Sequence, residues 1–255
     1  MSDHMSETRF QLGDIAAAFS LLTRLPVPVD HALAGSRAAQ ATWAYPLVGA
    51  CLGGLAALVG NIAVWVGAPV GIGAAIALGA LVLTSGAMHE DGIADCADGL
   101  GGGRDKKHRL TIMKDSRIGA YGAVILTLII LARWSGIETL MTGGWLWPLV
   151  AVGAASRLPM VLAMFVMPPA RDTGLSAGVG MPPPQSFVAA GVLALAICLI
   201  SLGLGGLGVL FWALLAPLPL FWIAHRLIGG QTGDVLGGSQ QLAEIAALAA
   251  ATSLI

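Results

Sequence analysis

The chain has 255 residues, of which 56% are hydrophobic and only 11% are charged, and its mean hydropathy is +0.83. Soluble domains carry about 25% charged residues, so this chain has too few charges to cover a water-facing surface. Its net charge of −1 indicates no nucleic-acid partner, and three scattered cysteines favour neither a disulfide framework nor a zinc site.

Apolar stretches near 20 residues, the length that crosses a bilayer as a helix, recur along the chain. The first segment, 10–29, is amphipathic and ends in TRLPVP, whose prolines stop a helix, so we expect it to lie in the membrane interface. Spanning helices are predicted at 42–66, 70–88, 118–137, 145–167, 186–204 and 207–227, with a short apolar segment at 242–255.

These elements predict an all-α fold, a polytopic integral membrane helical bundle of about six or seven transmembrane helices with added interfacial helices. We expect one membrane domain over 1–255, in which 1–41 is an N-terminal cytoplasmic or interfacial segment. Residues 89–117 are expected to form an Asp-rich cytoplasmic segment that carries the active site. The pattern is compatible with a homo-oligomer and does not define its size.

Lys and Arg are distributed unequally between the predicted loops. The loops near 67–69, 138–144 and 205–206 contain neither residue. Cytoplasmic loops are enriched in Lys and Arg, so the opposite segments are expected to face the cytoplasm from the cytoplasmic (inner) membrane. All polar loops then share one membrane surface, as an enzyme with water-soluble substrates needs. The basic residues of these segments are Arg9, Arg24, Arg37, Arg104, Lys106, Lys107, Arg109, Lys114, Arg117, Arg171 and Arg226.

The most polar stretch, residues 88–122, reads MHEDGIADCADGLGGGRDKKHRLTIMKDSRIGAYG. On a helix, Asp91, Asp95 and Asp98 have offsets of 0, 4 and 7 and fall within about 60° of arc. Three carboxylates so close repel one another near lipid, so a cation should neutralise them. An all-oxygen ligand set suits Mg²⁺, with Mn²⁺ as the alternative. A solvated helix end with incidental acids is the competing interpretation.

The glycines at 99 and 101–103 are expected to break this helix, and RDKKHRLTIMKDSR to form a short interfacial helix with a basic face. Its Lys and Arg side chains suit either a phosphate or the anionic headgroups of membrane lipids. Asp115 and Arg117 lie where the chain re-enters the membrane. There an acid could complete a metal site and an arginine could hold a phosphate.

Other polar residues each allow two interpretations. Arg157 lies within an apolar span, where a cation is either functional or part of an ion pair in the bundle. The stretch 229–238, GGQTGDVLGG, is either a binding loop containing Thr232 and Asp234 or a flexible turn. Glu244 is interpreted as a favourable charge at the start of the last helix. His89 is either a ligand or base, or a structural histidine.

Several motifs together resemble the cobalamin synthase family, also called adenosylcobinamide-GDP ribazoletransferases. The two long ones are HEDGIADCADGLGGG and RLTIMKDSRIGAYG, and TRLPVP, YPLVGACLG, SR, ARDTGL and GGQTGDVLGG match in order. The resemblance covers nearly the whole chain. The sequence departs from the family pattern at Glu90, where a hydrophobic residue is expected, and at Gln241, where some relatives carry Glu.

The resemblance implies a transferase of late cobalamin biosynthesis that joins adenosylcobinamide-GDP to α-ribazole or its 5′-phosphate and releases GMP. It implies Mg²⁺ bound by Asp91, Asp95, Asp98 and Asp115, which are also the candidate catalytic residues, with Asp115 as either a ligand or the base. The candidate substrate contacts are His89, Lys114, Arg117, Arg24, Arg157, Arg171, Thr232 and Asp234.

Two other functions each account for part of the sequence pattern. An ion-coupled membrane transporter would place facing acids at membrane depth, whereas the aspartates here adjoin a hydrophilic loop. A CDP-alcohol phosphotransferase of phospholipid synthesis shares the D-x-x-D-G spacing of Asp95, Asp98 and Gly99. Its pattern needs two further aspartates four residues apart, and Gly119 stands four residues after Asp115.

Overall fold

A computed structural model describes residues 10–143 and 147–254. Over these residues the protein consists of thirteen α-helices and one 3₁₀ turn and contains no β-strand, so the predicted all-α class is confirmed. The helices are α1 Leu12–Leu22, α2 His31–Ser36, α3 Tyr45–Trp65, α4 Val70–Ser85, α5 Met88–Gly102, α6 Lys106–Ile112, α7 Ala120–Thr142, α8 Pro148–Val166, α9 Leu175–Val179, α10 Pro184–Leu202, α11 Gly205–Leu215, α12 Leu218–Ile228 and α13 Gly233–Thr252; the 3₁₀ turn is Gln40–Ala44.

Five segments of the described chain are long and apolar enough to cross a membrane. A sixth arises if α4 and α5, which meet at an angle of 84°, form one broken span. With the broken span included, the described chain has six candidate spans, which is the lower end of the predicted six or seven. The five segments are Gln40–Trp65, Ala120–Thr142, Pro148–Val166, Pro184–Leu202 and Gly205–Ile228.

The start of the predicted span 145–167 lies outside the described residues, as do Arg9 and the first nine residues of the predicted segment 1–41. Helix α5 ends at Gly102, within the glycine run that was expected to break it, although Gly99 and Gly101 are helical. The expected loop at 229–238 is wrong in its second half, because α13 begins at Gly233, nine residues before the predicted apolar segment. Glycine favours turns in water, but in a membrane bundle it also lets helices pack closely. The predicted span 207–227 consists of two helices that are separated at Pro217.

Helices α3 and α8 cross very closely at the centre of the bundle. A Cβ atom on Gly49 of α3 would lie 2.0 Å from the carbonyl oxygen of Gly153 on α8, and one on Gly53 would lie equally close to that of Leu149. Such distances are far below van der Waals contact, so both positions require glycine. Helix α8 is buried along most of its length and forms the core around which the other helices pack.

A sharp bend between α4 and α5 directs the polar helix away from the apolar one. Gly86 and Ala87 both adopt left-handed backbone conformations, with φ of 67° and 57°. The amide of Ala87 donates to the carbonyl of Val82 and thereby caps α4. For Ala87 this conformation costs about 1 kcal/mol. The bend places the start of α5 at the end of the bundle where the other polar segments meet.

Candidate functional site

The predicted aspartate face exists on α5. Asp91 is exposed and Asp95 and Asp98 are half-buried, whereas Ile93, Cys96 and other intervening residues are buried. The three carboxylates therefore share the accessible side of a helix that packs its apolar side into the bundle. Within the described chain, neither the Asp91 carboxylate nor the Asp95 carboxylate accepts a hydrogen bond or forms a close ion pair.

Asp98 differs from the other two aspartates because its carboxylate accepts hydrogen bonds from the protein backbone. One of its carboxylate oxygens accepts a hydrogen bond from the amide of Gly119 at 2.7 Å, and the other accepts one from the amide of Gly122 at 3.0 Å. These amides belong to the start of α7, so Asp98 satisfies the free donors there. A Cβ on either glycine would lie within 2.4 Å of the carboxylate.

Helix α13 crosses α5 beside the aspartates. A Cβ on Gly92 would lie 2.9 Å from the carbonyl oxygen of Asp234, and one on Gly237 would lie 3.2 Å from the Cα of His89. This approach brings the Asp234 carboxylate near Asp95. Asp95 therefore experiences repulsion from Asp234 as well as from Asp91 and Asp98 on its own helix. The second half of GGQTGDVLGG therefore packs one helix against another and is not the loop that was expected.

Three of the predicted substrate contacts meet at the start of α13. The hydroxyl of Thr232 donates to the Asp234 carboxylate at 3.1 Å and also accepts from the Val235 amide, which caps the helix. Arg171 contacts Asp234 at 3.3 Å. Burial raises the pKa of Asp234, and the Asp91 carboxylate adds to this effect, while Arg171 and Thr232 oppose it. We call Asp91, Asp95, Asp234 and Arg171 the acidic site.

A cavity of about 180 Å³ opens beside the acidic site and is called here the apolar cavity. Its polar lining comprises His89, Asp91, Arg171, Asp234 and Ser176. His89 is buried, and its Nδ1 has no partner among the described residues. The remaining lining is mostly apolar: Leu21, Leu22, Tyr45, Met88, Met160, Met164, Leu175, Val179 and Leu236.

A second depression, of about 490 Å³, lies on the other side of Arg171. Its lining includes Lys106, Lys107, Lys114 and Arg171, and we call it the basic groove. The Lys114 ammonium reaches the hydroxyl of Thr173 at 3.5 Å. Because Arg171 lines both hollows, it joins the basic groove to the acidic site. The polar segments that were predicted to share one surface thus meet at one end of the bundle.

Asp115, Arg117 and Arg24 lie apart from the apolar cavity and the basic groove. Asp115 forms a 2.6 Å ion pair with Arg117, and the Arg117 side chain is 86% exposed. The hydrogen bond from Arg117 lowers the pKa of the Asp115 carboxyl. Arg24 packs against Gly86 at the bend before α5, and its amide donates to the carbonyl of Thr84. The structure therefore does not bring these three residues together with the acidic site.

Arg157 belongs to a buried network that the sequence did not reveal. Arg133 of α7 contacts Glu90 at 2.5 Å and Glu244 at 2.8 Å, and Arg157 of α8 lies 3.7 Å from Glu244. Gln240 and Gln241 of α13 add hydrogen bonds to Glu244, Glu90 and Arg133, while Glu90 Oε2 and Arg157 Nε have no partner in the described chain. The ion-pair interpretation of Arg157 is thus the one that the geometry supports. We call these six residues the buried network.

Glu244 was misinterpreted because the start of α13 was predicted too late along the chain. It lies in the second half of α13 and is 2% exposed, so it does not interact with a helix N-terminus. The available signal was Arg133, a lone cation in the predicted span 118–137, since a charge at membrane depth demands a partner.

A divalent cation in this site would need oxygen donors that lie close together. Among the described residues, no group of three or more His, Cys, Asp or Glu side chains is close enough to hold a metal ion. Magnesium, however, usually binds one or two carboxylates and completes its shell with substrate phosphates and water. Asp91 and Asp95, which have no hydrogen-bond partners within the described chain, fit that smaller requirement.

The fold and the site define a multi-pass helical membrane protein with a polar, phosphate-compatible site at one end of its bundle. The model of the cobalamin-5-phosphate synthase family matches residues 14–252, and the chain belongs to this family. Among curated relatives, an adenosylcobinamide-GDP ribazoletransferase of Mesorhizobium japonicum is 43% identical and covers 94% of this chain and 93% of its own. One of Bradyrhizobium diazoefficiens is 41% identical and covers 95% and 94%. No solved structure matches the chain.

Proposed function

We propose that this protein is an adenosylcobinamide-GDP ribazoletransferase that transfers the corrinoid-linked phosphate of adenosylcobinamide-GDP to α-ribazole or its 5′-phosphate. The names of the relatives support the reaction. The observation that carries it on the structural side is the acidic site, where carboxylates without hydrogen-bond partners adjoin Arg171 and a basic groove. Such a site suits a substrate that brings both phosphates and a cation.

The bond changes follow from the two substrates. A ribose hydroxyl oxygen of α-ribazole bonds to the phosphorus nearest the corrinoid, and the bond from that phosphorus to the bridging oxygen of the diphosphate breaks. The electron pair of that bond leaves with GMP, and the hydroxyl proton passes to a base. His89 lines the apolar cavity, and its Nδ1 has no partner in the described chain, so it is the candidate for that base. Asp115 was the predicted alternative but does not line it.

Asp91 and Asp95 are proposed to hold Mg²⁺, or Mn²⁺, together with phosphate oxygens of the substrate. When bound, the ion would neutralise negative charge on the diphosphate and on the leaving group. Arg171 would orient a phosphate oxygen, since its Nη1 is buried without a partner in the described part of the chain. Asp98 and Asp115 remain predicted ligands, although each already has hydrogen-bonding partners in the protein.

The experiment is to measure GMP release from adenosylcobinamide-GDP by the purified protein with α-ribazole and Mg²⁺. We expect release that requires both substrates, stops after exhaustive chelation and returns with Mg²⁺. Absence of release with both substrates and the ion would refute the transferase assignment. Full turnover after chelation would refute only the metal requirement.

The site is proposed to face the cytoplasm from the inner membrane, because Lys and Arg are concentrated in the segments that form it. In a variant without Cys51, which is exposed, a cysteine introduced at Lys106 should react with an impermeant thiol reagent only from the cytoplasmic side. A cysteine at Ala68, in the opposite loop, is the matched control and should react only from the other side. Reversed labelling would contradict this topology.

A further inference from the structure

The apolar cavity has the size and lining of a site for one flat aromatic group. A dry cavity of about 150 Å³ lined by Leu, Ile and Phe is known to hold benzene, and this one has about 180 Å³. Its walls are leucines and the polarisable methionines Met88, Met160 and Met164, which pack well against aromatic rings. A corrin ring is far too large to enter it.

The lining of the apolar cavity also includes polar side chains, several of which belong to the acidic site. His89 is 2% exposed and presents an Nδ1 without a partner in the described chain. Asp91, Asp234 and Arg171 lie on the same lining. A ligand that is aromatic at one end and carries hydroxyl groups at the other would therefore satisfy both parts of the cavity.

The basic groove is lined by the four cationic residues Lys106, Lys107, Lys114 and Arg171, whose aliphatic stems form much of its wall. Its volume of about 490 Å³ lies within the range of sites for drug-sized ligands. Charge-assisted hydrogen bonds to phosphate oxygens are the contacts that such a lining offers.

We propose that the apolar cavity binds the benzimidazole base of α-ribazole, while the basic groove binds the GDP portion of adenosylcobinamide-GDP. Arg171 lines both hollows, so the two substrates meet beside it and beside Asp91. The corrin ring then stays outside the bundle. This allocation rests on the proposed function and adds to it the place of each substrate.

The test compares the KM values of the two substrates in two variants. Val179→Trp fills the half-buried rim of the apolar cavity and should raise KM for α-ribazole about tenfold or more, while KM for adenosylcobinamide-GDP changes by less than about twofold. The double substitution Lys106→Gln and Lys107→Gln should do the reverse, because it removes charged hydrogen-bond donors from the groove.

Matched controls place the same changes elsewhere. Val192→Trp adds the same bulk on an exposed face of α10, and Arg104→Gln combined with Arg226→Gln removes two cations outside both hollows. Both controls should retain both KM values. If Val179→Trp does not fold, Leu21→Trp fills the cavity from α1 instead.

Calorimetric titration with α-ribazole alone separates the two levels of the proposal. The wild-type protein should bind α-ribazole, and Val179→Trp should not, whether or not GMP release is detected. Absence of GMP release would overturn the proposed function alone. Wild-type binding that survives filling of the cavity, no wild-type binding, or a reversed or equal change in the two KM values would overturn the allocation.

Discussion

The buried network and the acidic site share helices α5 and α13 but differ in how their charges are balanced. In the buried network, Arg133 and Arg157 are balanced by Glu90 and Glu244. In the acidic site, the three carboxyl groups of Asp91, Asp95 and Asp234 are accompanied by the single cation of Arg171. A charge buried at membrane depth must be compensated within the protein. Carboxylates at an accessible end can instead be compensated by a ligand, and this difference separates structural acids from functional ones.

Breaking the buried network at its centre should have the largest effect on folding. Arg133→Met leaves Glu90 and Glu244 without their shared cation, and the loss of one partner of a buried pair lowers the free energy of unfolding by about 3–5 kcal/mol. Unfolding by denaturant in detergent measures this change. Arg117→Met, which breaks an exposed pair, is the control and should leave the transition in place. Equal transitions for the two variants would show that the network does not stabilise the bundle.

Moving the carboxylate from position 90 to position 241 tests whether the buried network needs a negative charge beside Arg133. Arg133 Nη1 donates to Glu90 at 2.5 Å and to Gln241 at 3.0 Å, so either position can hold the negative charge. Glu90→Gln should lower the free energy of unfolding by about 1.5–3 kcal/mol, because it weakens a hydrogen bond between charged groups. Adding Gln241→Glu should restore most of that loss. A double variant no more stable than the single one would contradict the account.

Helices α5 and α13 carry residues of both regions and cross one another. Disturbing this crossing should have a smaller effect on the free energy of unfolding. Gly92→Ala would push α13 away, because the new Cβ would lie 2.9 Å from the Asp234 carbonyl oxygen. Overpacking of this kind costs about 1–3 kcal/mol, and displacement of Asp234 should reduce GMP release. Gly102→Ala meets open space on the same helix and serves as control. Identical activity in the two variants would show that the crossing does not position the site.

Much of the fold follows from the sequence because apolar length and charge placement are strong signals in membrane proteins. Helix ends were predicted less well. Glycine is a loop signal in soluble proteins, yet Gly92 and Gly237 lie inside helices that they allow to approach closely. The sequence alone does not show which partner a glycine faces, so α13 was predicted too short and Glu244 was placed at its start.

The sequence predicted the part of the candidate site whose residues lie on one helix. It did not predict the contacts that residues from different helices make with one another. The face formed by Asp91, Asp95 and Asp98 follows from helical spacing, and α5 confirms it. The partner of Asp98 at the start of α7 and the contact between Arg171 and Asp234 depend on tertiary packing. At about 100° per residue Glu90 lies off the aspartate face, but its pairing with Arg133 depends on the relative positions of the helices.

The most direct test compares Glu90→Gln and Asp95→Asn, two charge-removing substitutions within two turns of one helix. For each variant, unfolding and the rate of GMP release at saturating substrates and Mg²⁺ are measured on the same preparation. We expect Asp95→Asn to keep the wild-type unfolding transition and to lose about 10²–10³-fold in rate, as removal of one major electrostatic contribution does. Glu90→Gln should unfold earlier and retain far more of the rate where it is folded. Equal rate losses, or near wild-type release by a folded Asp95→Asn protein, would contradict the assignment of the two acids to different roles.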